Sequence, residues 1–306
     1  MKYLISIVLA ATLSLPTFGQ QVKYKIVQDN PDINNWLSIN IDFLGMEVSL
    51  PHTNAIDAAS FNIGLWGHVD PGLPVGFQYS FQRSWFVFGG FGQESFPQNT
   101  DIQLGTYWMF ADNTKKKVIQ VGLKTEVDDN YRTNTRTTTT TTIKVPGTVR
   151  NEFGLRGGFM YKNAPHVLDT DEDPQPPVEL ASHLSMGLYA GIMNRNTSNL
   201  VIDTDKYGRV NTASKARNIF LDVIIAPINS FDDVNNNNAN VTKEVKDFVS
   251  TFPLGARLGL QVYQVEKKAF TGKKFGLSAR SEIGYRPYIG PYVNASFGLT
   301  LVKLQK

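Results

Sequence analysis

The sequence predicts an all-β protein: a single antiparallel up-and-down transmembrane β-barrel of about twelve strands, within a range of about ten to fourteen, with long outer loops. Three observations predict it. Apolar and polar residues alternate with period two over runs of about nine or more residues, where soluble strands usually run about five or six and a tilted membrane strand needs about nine to eleven. The polar side of these runs is rich in Gly, Asn, Gln, Ser and Tyr and sparse in charge, which suits a packed or narrow lumen better than a solvated surface. The connections are uneven, some tight and some long and polar, as in outer-membrane barrels.

The start of the chain has the form of an export signal. Lys2 precedes the apolar stretch Leu4 to Leu15, then come Pro16 and the small residues Thr17 and Gly19 before Gln20. A basic end, a short apolar core and a small-x-small cleavage site describe a secretory signal peptide. Beyond it no apolar run reaches the length of about 20 residues that a membrane helix needs. A mature chain in a membrane would therefore cross as strands. The domain reading is residues 1–19 as signal peptide, 20–35 as an N-terminal periplasmic segment and 36–306 as one barrel domain.

The strands follow in order near 36–50, 58–69, 73–82, 85–92, 101–110, 116–127, 148–162, 182–196, 217–227, 254–267, 274–286 and 290–303. In the first, Leu37, Ile39, Ile41 and Phe43 oppose Ser38, Asn40 and Asp42, and the apolar phase then slips to Leu44, Met46 and Val48, which predicts a bulge. Ile119, Val121 and Leu123 oppose Gln120, Gly122 and Lys124. Phe153, Leu155 and Phe159 oppose Glu152, Arg156 and Gly158, and Leu184, Met186 and Leu188 oppose His183, Ser185 and Gly187. The last run is the clearest, with Val293, Ala295, Phe297, Leu299 and Leu301 against Tyr292, Asn294, Ser296, Gly298 and Thr300.

Tight turns are expected at Asp70-Pro71-Gly72, Gln82-Arg83-Ser84 and Tyr288-Ile289-Gly290, and long polar loops at 128–147, 163–181, 197–216 and 228–253. The run Thr137 to Thr142, the acidic stretch Asp169 to Asp173 and the run Asn235 to Asn238 read as low-complexity loop, with a short helix from Val241 to Val249. Trp36, Trp66, Trp85, Trp108, Tyr285, Tyr288 and Tyr292 lie near strand ends and are candidates for interfacial aromatic girdles.

Composition narrows the function. A net charge of +3 is too weak to imply a nucleic-acid partner, and the absence of cysteine removes disulfides, thiolate metal sites and Cys nucleophiles. His52, His68 and His166 have no ligand spacing, the acidic loop lacks the glycine and terminal glutamate of an EF-hand, and no phosphate-binding or dinucleotide fingerprint is present, so no metal or cofactor is expected.

The glutamines that end the signal peptide, the long alternating strands and the stretch from Tyr285 to Val302 resemble outer-membrane β-barrel proteins of the Bacteroidetes type. That resemblance implies insertion by the outer-membrane assembly machinery, which reads a C-terminal strand; Phe297 and Leu299 suit that signal. The partners implied are outer-membrane lipid and lipopolysaccharide, with other envelope proteins on the long loops.

The candidate site is the set of charges expected to line the lumen: Asp42, Lys124, Glu126, Glu152, Arg156, Asp222, Arg257, Arg280 and Glu282. Both signs inside one bore make either interlocked ion pairs that close it or a charged constriction that selects solutes. The expected function is a narrow, porin-like transporter or the membrane part of an envelope assembly, with a non-conducting accessory component as the alternative. A third reading rests on His183 and Ser185, two apart on one strand face, which is similar to outer-membrane phospholipases and lipid A deacylases. Here the outward positions are Leu184, Met186 and Leu188, which turns His183 and Ser185 toward the lumen, so an enzyme is not expected.

Overall fold

The computed structural model describes residues 22–31, 35–49, 59–71, 73–88, 99–130, 135–168, 179–211, 215–233, 253–264, 275–287 and 290–305. Ten strands close into an antiparallel barrel. In chain order they are β2 (Asn35–Ser49), β3 (Ala59–Val69), β4 (Val75–Phe88), β5 (Thr100–Asn130), β6 (Thr135–Leu168), β7 (Glu179–Ser198), β10 (Lys215–Asp233), β11 (Leu254–Gln264), β12 (Phe275–Arg286) and β13 (Gly290–Gln305). Each pairs with its neighbours around the ring, and β13 returns to β2. Three short strands, β1 (Tyr24–Asp29), β8 (Leu200–Thr204) and β9 (Gly208–Asn211), form a separate sheet.

The count falls from twelve to ten because two pairs of expected strands are continuous. Segments 73–82 and 85–92 merge in β4, where Gln82-Arg83-Ser84 continues the strand and makes no turn. The pairing with β3 steps from Phe86 to Ser84, leaving Trp85 as a bulge residue that breaks the alternation. Segments 101–110 and 116–127 merge in β5. The phase slip in β2 is a bulge as expected, the register moving from Asp42 to Gly45. The expected helix at 241–249, the asparagine run, the acidic run and residues 1–19 lie outside the described residues.

The alternation sets an inverted order around the ring. Apolar side chains point out, with Leu188 63% and Leu104 56% exposed, while Asn40, Asn218 and Asp222 on the inner wall are 0% exposed. A water-soluble domain has the reverse arrangement. Counted by register, the outward apolar run is nine residues long on several strands: Phe153 to Tyr161 on β6, Leu184 to Ile192 on β7, Leu254 to Val262 on β11 and Val293 to Leu301 on β13.

β5 and β6 outlast the ring. β5 pairs with β4 only as far as Trp108 and β6 with β7 only from Val149, yet β5 and β6 stay paired with each other from Lys115↔Val149 to Asn130↔Thr135. They leave the barrel as a two-stranded ribbon. The loop expected at 128–147 is therefore largely strand, and the threonine run is part of it, in keeping with the strand preference of a β-branched side chain. An isolated ribbon is marginal in water, and this one is braced. Val121 and Val145 of the ribbon bury themselves against Leu200 and Ile202 of β8, with Ile119, Leu123, Ile143 and Val210 around them. The Asp29 carboxylate ties β1 to the root of the ribbon, accepting from the Thr148 backbone N–H at 2.6 Å and its hydroxyl at 2.7 Å. Segments expected as a periplasmic tail (20–35) and a loop (197–216) thus supply a small sheet with a dry core.

Leu200 is fully buried in that core, and truncating such a side chain costs about 2–5 kcal/mol. Leu200→Ala should accelerate backbone hydrogen exchange in β8 and in ribbon residues 119–123 and 143–145, leaving the ten barrel strands as protected as before. Equal loosening of the barrel strands would show the two parts to be one cooperative unit.

Candidate functional site

The inner wall of the barrel carries most of the chemistry. Among the described residues it buries six acids, Asp42, Glu47, Asp101, Glu152, Asp222 and Glu282, and six bases, Arg156, Lys162, Arg195, Arg257, Arg280 and Arg286. A buried ion is tolerated only when paired and hydrogen-bonded. Here the pairs form between strands far apart in sequence, in three groups along the barrel.

At the end away from the ribbon, Glu47 of β2 is the hub. It accepts from Lys162 at 2.9 Å on each oxygen, from Arg286 at 2.5 and 2.9 Å, and from the Asn99 and Asn294 amides at 3.0 and 3.3 Å. Asp101 stands 3.7 Å from Lys162 on its other side. In the middle, the Arg257 Nε donates to Asp222 at 2.7 Å while its Nη1 donates to Gln103 at 2.7 Å, and the Arg156 Nε lies 3.3 Å from the other Asp222 oxygen. Nearby, Asp42 accepts from the Trp66 indole at 2.9 Å and from Ser296 at 2.6 Å, with the Arg280 Nε at 3.4 Å. Toward the ribbon end, Arg195 donates to Asp70 at 2.8 Å.

Aromatic rings separate the guanidinium groups. Arg156 sits 3.8 Å over the Phe220 ring, Arg257 4.7 Å over Tyr189, Arg195 4.7 Å over Tyr107 and Arg286 3.7 Å over Tyr292. The ring quadrupole attracts each cation, and the ring fills space that water would otherwise enter. Glycines seat two of the rings. A Cβ on Gly259 would fall 2.0 Å from Phe220, and one on Gly105 would fall 2.2 Å from the Tyr189 hydroxyl.

Seven of the nine charges expected in the lumen stand on the inner wall: Asp42, Glu152, Arg156, Asp222, Arg257, Arg280 and Glu282. Lys124 and Glu126 do not. They lie on the ribbon, past the point where β5 leaves the ring, and pair with each other in solvent. The Glu126 carboxylate raises the pKa of the Lys124 ammonium through that hydrogen bond. Alternation could not separate them from the lumen set, because the ribbon continues the same period. Glu47, Asp101, Lys162, Arg195 and Arg286 are the residues missed. Glu47 shares a face with Gly45 once the bulge is counted, and Arg286 continues the phase of Arg280 and Glu282, so the same pattern carried both to the end of the wall.

His183 and Ser185 are buried on the inner wall, opposite Leu184, Met186 and Leu188, so neither reaches the outer surface on which the likeness to lipid hydrolases depends. His68 is a packed lumen residue, stacked on Tyr263 with centroids 5.7 Å apart and edge-on to Tyr107 at 6.0 Å. Among the described residues no three His, Asp or Glu side chains form a metal-ligating set; His52 and Asp169 to Asp173 lie outside them, as does the side chain of His166. Of the girdle candidates, Trp108 is on the outer wall, while Trp66 and Tyr292 point into the lumen, drawn there by partners for their polar atoms: Asp42 for the Trp66 indole and Glu282 for the Tyr292 hydroxyl, at 3.4 Å. The side chains of Trp36, Trp85 and Tyr288 are outside the described set.

No protein-family model matches the sequence, and no curated protein matches it. The functional reading therefore rests on the barrel itself.

Glu47→Gln leaves Lys162 and Arg286 without their carboxylate, and breaking a buried pair in this way costs about 3–5 kcal/mol. The urea midpoint for loss of the compact, unheated gel species should fall accordingly. Glu126→Gln, on an exposed pair, should leave that midpoint close to the wild type's. Equal midpoints for the two variants would show that the Glu47 cluster contributes nothing to holding the barrel.

Proposed function

We propose that this chain spans a bacterial outer membrane as a closed, non-conducting barrel, the membrane-embedded part of an envelope assembly, and presents the ribbon and its small sheet outside the bilayer. The observation that carries the reading is the inverted burial: a belt of exposed apolar side chains about nine residues deep around an interior of paired charges. Nine to eleven residues is about the depth a tilted strand needs to cross a bilayer. In water, the exposed belt would be a large aggregation surface, since soluble monomers rarely expose continuous apolar patches beyond a few hundred Å².

The choice between conduction and a closed role turns on the lumen. Side chains from Ser38 and His68 at one end to Glu47 and Lys162 at the other are buried along its length, whereas a channel wide enough for solutes would leave its lining exposed. A ten-stranded ring is also near the size at which side chains alone fill a barrel, about eight strands, and well short of the sixteen that leave an aqueous channel. This favours the accessory role over the narrow transporter. The signal-peptide pattern of residues 1–19 and the outward Phe297 and Leu299 of β13 support export followed by outer-membrane insertion. The first barrel strand begins and the last ends on the ribbon side, Asn35 pairing with Gln305. For a barrel inserted from the periplasm this makes the ribbon and its sheet periplasmic.

Fractionation, gel migration with and without heating, and planar-bilayer recording test the proposal together. The protein should sediment with the outer membrane, run as a faster species when unheated, and give no steady conductance while its folded state persists. A stable conductance from the wild-type protein would replace the closed role with the transporter. Recovery as a soluble periplasmic species would remove the membrane reading altogether.

A further inference from the structure

The outer wall at the root of the ribbon changes chemistry row by row across β5, β6, β7 and β10. One register row is wholly apolar: Trp108, Leu155, Ile192 and Leu221. After the bulge at Phe110 the next row is Ala111, Phe153, Asn194 and Ile219, and the one beyond is Asn113, Asn151, Asn196 and Arg217. Lys115 follows opposite Val149, and Lys117 opposite Gly147. Trp108, Phe110 and Phe153 form an aromatic cluster at the edge of the apolar zone, with centroids 5.6 and 5.5 Å apart. Aromatic residues take this position where hydrocarbon meets headgroups.

The polar rows above that edge have a defined make-up. The Asn196 amide donates to Asn194 at 2.6 Å, and the Asn194 amide to Asn151 at 2.9 Å, a chain laid along the outer wall. Lys115, Lys117 and Arg217 are exposed, and among the described residues none of them has an acidic partner within 4 Å. Of the nearby acids, Asp112 and Glu152 lie on the opposite strand face, where both are held by Arg150 at 2.8 and 3.2 Å, and the Asp29 carboxylate is taken up by the Thr148 backbone N–H and hydroxyl. Directly above, the same ribbon face is closed over by β8, with Leu200 against Gly147 and Val121 and Val145 buried beneath it. The band is thus bounded by aromatic residues below and by the small sheet above.

Height selects the ligand. From Phe153 to Val149, opposite Lys115, is about 13 Å along a strand, or about 10 Å along the membrane normal at a tilt of about 40°, and Lys117 stands about 5 Å higher. The headgroup layer is about 5–8 Å deep on each side, and a lysine stem can bend back toward it. We infer that Lys115, Lys117 and Arg217, with the Asn113, Asn151 and Asn196 amides, form a binding band for the phosphate of an anionic phospholipid in the leaflet on the ribbon side. The inference rests on the membrane-spanning reading above. Bound headgroups, each bringing one negative charge, would offset the unpaired cations where the small sheet overhangs the barrel wall, tying the seating of that sheet to the lipid around it.

Native mass spectrometry of the full chain in detergent, with limiting lipid added, tests this. Phosphatidylglycerol should be retained about tenfold over phosphatidylcholine, and the triple variant Lys115→Gln/Lys117→Gln/Arg217→Gln should bring that retention down to the phosphatidylcholine level, since each cation near an anionic surface contributes several-fold in affinity. Lys116→Gln/Lys144→Gln, on the opposite ribbon face, should retain the lipid as the wild type does. Unchanged retention in the triple variant, no preference over phosphatidylcholine, or displacement of the lipid by millimolar inorganic phosphate would each overturn the inference, as would retention of lipid A in place of phosphatidylglycerol. Unheated gel migration shows whether each variant is folded. Should the wild type fail to insert into vesicles at all, the spanning reading falls as well; insertion without lipid preference removes the headgroup band alone.

Discussion

Taking an ionised side chain out of water costs several kcal/mol, and the barrel interior does this at twelve of the described positions. The arrangement is tenable because six acids and six bases are interleaved so that every group of charges is close to neutral within itself. Glu47 accepts from two cations and two amides, and Asp222 lies between Arg156 and Arg257. The rings of Phe220, Tyr189 and Tyr292 take up the space between them. This compensation allows the outer wall to be apolar, since the strands have then placed their charged groups against opposite charges in the interior.

One chain applies the same two-residue period in two opposite environments. On β13, Val293, Ala295 and Phe297 face outward and Asn294 and Ser296 are buried. On the ribbon, Val121 and Val145 are the buried set and the polar face is open. What differs is the neighbour. Within the ring a strand has a partner on both edges and its polar face meets other polar faces; on the ribbon the apolar face finds β8. The small sheet is therefore the element that lets β5 and β6 continue as strands once the ring has released them.

This explains which parts were legible in the sequence. The ring strands were readable because alternation is enforced over nine residues by surroundings that differ on the two faces, and seven lumen charges followed from phase alone. The strand count was not, because a bulge residue such as Trp85 looks like a turn when the partner strand is unseen. Lys124 and Glu126 were misplaced for a related reason: β5 parts from β4 after Trp108 with no local signal, as the separation depends on where β4 begins. Threonine repetition at 137–142 suggested loop by composition, although a β-branched side chain favours the extended backbone it adopts there. Trp66 and Tyr292 show the limit of reading aromatic position, since their direction is set by Asp42 and Glu282 on other strands.

The closure of the ring, where β12 and β13 meet β2, bears on how such a molecule can form. Thr300 meets Asn40, Ser296 meets Asp42, and Arg286 and Asn294 meet Glu47, contacts that join residues 260, 254, 239 and 247 positions apart. Loops that long are closed late, and topologies dominated by remote contacts fold slowly. The first barrel strand to be synthesised therefore carries carboxylates of which several partners emerge last. Until the last strands arrive, Asp42 has the Trp66 indole and Glu47 has Lys162 and Asn99, and the rest of their partners come only when the ring closes.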